Sequence, residues 1–420
     1  MKPSGIDWIG DIPDEWDITK VRFVTKLRSE QGFYNSDDKY IGLENISSYT
    51  GEYISTESEY DAGIYDLYKT GDLLFSKLRP YLAKALIADD CGFCTGELAV
   101  IKEYNGDIRY LFYYMLSDGF LKMVDASTYG AKMPRASWDY IKNLQIPVIG
   151  KAEQQAIANF LDKECAQIDS IAADLEKQIA LLQQYKKSLI TETVTKGLDK
   201  SAPMKDSGVE WIGKIPEHWQ KTRIKFEASI IGSGTTPDSG NSMYYDNGEH
   251  SWIQSGDLYG KDYIYETEKQ LTNLAILECH ALNWYTKDFV VVAMYGASVG
   301  NVAISKIDSF TNQACCVIKL NEKNDNRYLF YFLKAAQEEM LLKAFGGTQP
   351  NISQIIIKNL NFLNVPLLEQ IEIADFLDSK CDMINEMLKS KKDQYDILIK
   401  HKKSLIYEYV TGKKRVKEVQ

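Results

Sequence analysis

What this chain lacks most plainly is a basic surplus: 59 Asp and Glu stand against 49 Lys and Arg, a formal net charge of −10 at pH 7. A protein that holds nucleic acid unaided usually shows the opposite balance, so bulk charge speaks against that class. Long apolar runs are missing too. None reaches the ~18 residues of a membrane span, and "MKPSGIDWIG" has no basic-then-apolar leader. A cytoplasmic protein without membrane contact is expected. Cysteine is scarce, and seven residues, an odd number without an export signal, are expected as reduced thiols. Four scattered histidines assemble no Ser-His-Asp triad. "GSGTTPDSG" lacks the Gly-Lys-Ser/Thr ending that grips nucleotide phosphates, and the Asn-Pro-Pro-aromatic signature of adenine methyltransferases is absent. "CGFC" (Cys91–Cys94) has the spacing of half a zinc site, but no second pair completes it. Two small buried residues flanking a turn are expected there, and Cys279 and His280 are read as packing residues.

What is present is one short passage written twice. "SGIDWIGDIP" (Ser4–Pro13) returns as "SGVEWIGKIP" (Ser207–Pro216), and extension to Phe23 and Phe226 gives 10 identities in 20 positions. Self-similarity on this scale has to be settled before any local motif. "RYLFYYM" at Arg109 returns as "RYLFYFL" at Arg327, "IKNL" at Ile141 returns at Ile357, and "EQQAIANFLDKEC" at Glu153 returns as "EQIEIADFLDSKC" at Glu369. "KKSLI" at Lys186 returns at Lys402. The register moves from 203 to 216, which places 13 extra residues between Phe226 and Asp288. "PDEWDITK" offers a carboxylate cluster in Asp14, Glu15 and Asp17, but Glu217, His218 and Gln220 replace it in the second copy, as suits a solvated turn.

From Glu153 to about Lys196 the chain has no Pro or Gly. Leu161, Ile168, Leu175, Leu182 and Leu189 recur every seven residues, with Ile171, Ile179 and Tyr185 assigned to the same face. Leu377, Ile384, Leu398 and Leu405 repeat the stripe, with Leu388 and Tyr395 carrying the seam around Lys391. Pro147 and Pro366 stop each globular part just before its helix. A helix of about 45 residues is roughly 65 Å long, and its stripe needs a partner. Pairing of the two copies, antiparallel about a pseudo-two-fold axis, is expected. Cys165 and Cys381 would then lie at opposite ends, unlinked. Folding of each helix back onto its own globular part stays open. "GDLLFSKL", "KDFVVVAMYG", "ELAVIK" and "ACCVIKL" read as buried strands, and "RYLFYYMLS" as an aromatic helix.

These parts, in this order and twice over, resemble the specificity (S) subunits of type I restriction–modification systems. The motifs that carry the likeness are "SG-x-x-WIG-x-IP-x-x-W", the "KNL…P…EQ-x-x-IA-x-FLD" entry to the long helix, the "KKSLI" exit, and the Gly232–Leu258 loop. The likeness covers essentially the whole chain. It implies an α+β fold: two mixed α/β target-recognition domains in tandem pseudo-repeat, separated by two long helices forming an antiparallel coiled coil. The expected division is 1–150 and 201–366 for the domains, 151–200 and 367–415 for the helices, and 416–420 for a tail. It implies a non-catalytic chain that reads an asymmetric two-part target on double-stranded DNA. It implies two modification subunits that methylate adenine, and restriction subunits that translocate and cut DNA. S-adenosylmethionine, ATP and magnesium belong to those partners. They would also supply the basic surface missing here, so weak DNA binding by the isolated chain is expected.

The two copies match along their frame and differ at their tips, which suits two different half-sites. In the first domain Lys77, Arg79, Tyr81 and Lys84 form one candidate DNA-binding tip, and Tyr129, Lys132 and Arg135 another. Arg takes guanine bidentately and Lys meets phosphate. In the second domain the candidates are Ser233, Thr235, Thr236, Tyr295, Ser298, Asn301, Gln349 and Asn351, of which Asn and Gln suit adenine. Solvated surface charge and ordinary turn chemistry are the plain alternatives for each residue. A non-catalytic coiled-coil scaffold whose ends bind protein or RNA is the competing reading of the whole.

Overall fold

"FVVVA" (Phe289–Ala293) is buried at every residue, as a β-branched run in the centre of a sheet must be. In the computed structural model, which describes residues 1–130, 132–296, 298–346 and 350–416, this strand lies between Cys315–Leu320 and Val302–Ser305, antiparallel to both. Ala228–Ser233 and Tyr263–Ile264 complete a five-stranded sheet. The first domain builds its counterpart around Leu73–Ser76, also wholly buried, paired with Leu98–Tyr104 and Ala85–Ile87. Each domain adds a second sheet: Gln31–Tyr34, Gly63–Tyr68, Gly92–Cys94 and Tyr40–Ile41 in the first, Gln270–Leu271, His250–Ile253 and Phe310–Thr311 in the second. The 13 extra residues fall where the second domain makes that sheet and the helix Asn273–Glu278.

The long helices span Lys151–Lys196 and Leu367–Val410. The chain clusters into two units, Met1–Gln178 with Lys391–Gln420, and Ile179–Ser390. Each unit therefore takes a stretch of both helices. In the first, Glu153 meets Arg415 and Asp169 meets Lys402. In the second, Lys186 meets Asn385, and Gly197 lies beside Glu369. Partner numbers fall as positions rise, so the helices run antiparallel within each unit. Both readings of the stripe hold at once. Leu161, Cys165 and Ile168 join Leu405, Ile406 and Val410 in the core of the first domain, and Ile190 and Val194 join Leu377 and Cys381 in that of the second. Cys165 and Cys381 are both free thiols, one in each unit.

One assignment needs correction. Ile171 and Tyr185 do not fill the seam; they are 52% and 57% exposed, while Cys165, Ala172 and Leu175 are buried. The seam steps by four and then three residues, so positions four after each heptad leucine face inward and those three after it face water. Leu182, Leu189 and Leu398 sit on the seam half-buried, as do Ile179, Leu388 and Tyr395.

The repeated motifs are a docking code. Glu153 and Glu369 accept the indole N–H of Trp16 (3.2 Å) and Trp219 (3.0 Å), the last residue of each opening motif. Gln154 and Gln370, almost fully buried, accept the backbone N–H of Asp107 and Asp325 and donate to the carbonyls of Ile149 and Val365. The Asp of each "FLD" accepts from the Arg and the second Tyr of "RYLFY": Asp162 from Arg109 (2.7 Å) and Tyr113 (2.8 Å), Asp378 from Arg327 (2.9 Å) and Tyr331 (2.6 Å). The first Tyr of that motif caps a helix end. Tyr110 donates to the Val410 carbonyl and Tyr328 to that of Val194, each hydroxyl fully buried. Each polar group named in these seams thus has a partner, which burial requires, while the indole N–H of Trp211 in the second opening motif is buried without one.

The copies differ in one buried pair. Lys402 Nζ bonds both oxygens of Asp169, at 2.7 and 2.6 Å, and its counterpart Lys186 meets the amide of Asn385, with Asp262 at 3.5 Å supplying the charge. Burial alone would raise the pKa of Asp262, but Lys334 and then Lys186 outweigh it and hold the carboxyl below its ordinary value. A carboxylate depressed in the folded state gives stability above its unfolded pKa, which disappears as pH falls through the folded value. Amide exchange around residues 262 and 334 is therefore expected to accelerate below about pH 4, and D262N removes that acid step.

Candidate nucleic-acid interface

Strand Leu73–Ser76 ends in a turn that no regular hairpin explains. Arg79 (φ 48°, ψ 63°) and Ala83 (φ 49°, ψ 50°) flank the short 3-10 turn Pro80–Leu82, both in the left-handed region. For residues with a Cβ this conformation costs about 1–2 kcal/mol each. The sequence separates residues 77–84 from 129–135, but the structure joins them into one tip. Arg79 N–H donates to the Pro134 carbonyl and Ala136 N–H to that of Lys77, both at 2.8 Å. Tyr129 and Arg135 exchange backbone bonds at 3.2 and 3.1 Å, and the Arg135 guanidinium pairs with Glu97. Tyr81, Tyr129, Lys132 and Arg135 are exposed and Lys77 is half-buried. Lys84 turns inward: its Nζ donates to the Leu43 carbonyl at 2.6 Å, and burial lowers its pKa.

The second domain ties its tip in the same way with different chemistry. Phe345 and Asn351, equivalent to Tyr129 and Arg135, exchange backbone bonds at 3.0 and 2.7 Å, and Ile352 N–H donates to the Met294 carbonyl. Thr236 Oγ1 bonds Gln313, and Tyr295 is half-buried. The Ser233 carbonyl accepts from Asn283 and Tyr285, and that of Thr235 from the Trp252 indole. Ser298 is buried and donates to the Ser255 carbonyl at 2.6 Å. Asn301 is half-buried, its backbone tied to Ser298 and Ala293. Gln349 lies outside the described residues. The first tip thus gathers five Lys and Arg side chains, of which Arg135 is paired with Glu97, and the second, among the described residues, gathers hydroxyls and amides.

Three participants escape sequence reasoning. Glu97 and Gln313 occupy equivalent positions one strand away from each tip, and the register offset of 216 was the signal that pairs them. Phe345, 71% exposed, stands where Tyr129 stands in the first domain. Cys91 departs from the expected pair of buried residues, being exposed while Cys94 is buried. Among the described residues no group of three His, Cys, Asp or Glu side chains is placed to hold a metal ion, and no helix is long and apolar enough to cross a membrane.

With this geometry in place, comparison with known proteins is specific. A family model described as the type I restriction modification DNA specificity domain matches residues 216–394. The MjaVIII specificity subunit, from a type I restriction enzyme of Methanocaldococcus jannaschii, is 27% identical over 74% of this chain and 72% of its own length. A chain from a structural study of complex assembly and conformational transition in a type I R-M system superposes with a TM-score of 0.73 at 15% identity, covering 95% of this chain and 98% of that one. The crystal structure of an HsdS subunit from Thermoanaerobacter tengcongensis gives 0.50 at 15% identity, with 96% and 98% covered. At such identity the structural likeness is one of fold.

Proposed function

We propose that the chain is a specificity subunit of a type I restriction–modification system, as its similarity to that family supports, and that it addresses such a complex to a split DNA sequence. Residues 1–150 would read one half and 201–366 the other, with helices 151–200 and 367–415 setting the gap between them. The chemistry would belong to partners: modification subunits that methylate adenine from S-adenosylmethionine, and restriction subunits driven by ATP with magnesium. This chain contributes the address alone.

One observation carries the reading. The two domains share their docking code residue for residue and tie their tips by equivalent backbone bonds, yet one tip is rich in Lys and Arg and the other, among the described residues, in hydroxyls and amides. A common frame with unlike tips suits two unlike half-sites, read together as paired half-sites are read by dimeric DNA-binding proteins. The acidic total is consistent with a chain that grips DNA only together with partners.

Methylome sequencing of cells carrying this chain with its modification subunits tests the proposal. Methyladenine is expected in a split motif of unequal halves, and it should vanish when the chain is deleted. Replacing residues 20–145 with those of another family member should change one half alone. A change in both halves would refute the modular reading.

A further inference from the structure

We propose that Arg79 is the guanine-reading residue of the first domain, its guanidinium held with donors to spare for a base edge. This rests on the function proposed above and adds a base identity to it. The backbone is the first ground. Left-handed conformation at an arginine, directly before a proline, is a strained choice, and strain of this kind persists where surrounding structure imposes it and function uses it.

The side chain is the second ground. Its Nε is buried without a hydrogen-bond partner, although a guanidinium offers five donors in a fixed fork. Among the described residues its one side-chain bond, Nη2 to the Lys132 carbonyl, is 3.3 Å long, against roughly 2.7–2.9 Å for a well-formed charge-assisted bond. An orphaned buried donor is costly, and the fork has donors to spare for an acceptor. The neighbouring cations divide the remaining work. Arg135 is engaged by Glu97, and Lys84 by the Leu43 carbonyl. Lys132 is exposed, a point charge suited to phosphate. Arg135 spends part of its fork on a carboxylate, whereas Arg79 has no carboxylate partner among the described residues, and its planar fork matches O6 and N7 of guanine in the major groove.

The test uses the chain with its modification subunits in cells, comparing wild type, R79A and R79K by methylome sequencing. The wild-type motif should hold a G·C pair in one half that both variants cease to enforce. Discrimination at that pair should fall about tenfold to a hundredfold, with the other half unchanged. R79K keeps the charge and loses the fork, so relaxed reading in R79K decides the matter should R79A lose all methylation. Two results overturn the assignment: an unchanged motif in R79K, or methylation weakened alike at all sites without relaxed reading, the mark of a phosphate contact. A wild-type complex with no split methylated motif overturns the functional reading itself, and this assignment with it.

Discussion

Replacing Lys402 with methionine is expected to destabilise the first unit by about 3–5 kcal/mol, and the same change at the equivalent Lys186 by only about 1 kcal/mol. Lys402 is 5% exposed, and it neutralises Asp169 through two short bonds while also donating to the Tyr49 carbonyl at 3.2 Å. Methionine fills the space and leaves the Asp169 carboxylate at the seam without a cation, which is what makes breaking a buried pair costly. Lys186 stands otherwise. Its nearest partner is the neutral amide of Asn385, and Asp262 keeps Lys334 when Lys186 is removed. Hydrogen exchange resolves the two units, with Tyr110 and its helix reporting on the first and Tyr328 and its helix on the second. Equal loss of protection from K402M and K186M would show that the helix carboxylate is not what distinguishes the copies.

Replacing Arg327 with methionine should cost the second unit about 3 kcal/mol or more. Its guanidinium holds Asp325, Asp375 and Asp378 together, at 3.2, 2.7 and 2.9 Å. Asp375 is 62% exposed and loses little, whereas Asp325 and Asp378 are mostly covered and would keep their charge unopposed. Asp378 is also the acceptor for Tyr331 and Tyr263, so the loss reaches the contact between helix Asn326–Ala335 and the long helix. R109M should cost less, because Asp162 is 41% exposed where its counterpart Asp378 is 26%, so the carboxylate left unopposed stays better solvated. R327K should recover part of the loss, since lysine restores charge but not three-way geometry. Thermal unfolding paired with exchange in residues 326–335 measures both; an R327M chain as stable as wild type would remove the fork from the account.

Much of this was legible in the sequence because it is written twice. The stripe of Leu161 and Leu377, the strands around Phe75 and Val291, and the helices at Arg109 and Arg327 all lie where periodicity and duplication place them. Periodicity alone, however, does not choose between the third and fourth residue after each leucine. The choice fell to Cys165, Ala172 and Lys186, small or lysine side chains that fit beside a second helix, and against Ile171 and Tyr185. The tips were legible as places and not as arrangements. Joining Arg79 to Pro134 depends on backbone bonds between segments some fifty residues apart, which leave no local signature. Glu97 and Gln313 look like ordinary strand-flanking residues until the tip closes over them.

The strap that follows the second long helix has a consequence for the order of events during synthesis. Gly412 (φ 72°) lies against Pro13 and Trp16, Lys413 donates to the Asp11 carbonyl, and Arg415 pairs with both Glu15 and Glu153. One unit is a continuous stretch of chain, whereas the other is assembled from its beginning and residues 391 onward. A nascent polypeptide leaving the ribosome can finish the continuous unit first, while the Trp16 region waits with its apolar surface uncovered. Premature termination near residue 390 would therefore damage most the part translated earliest.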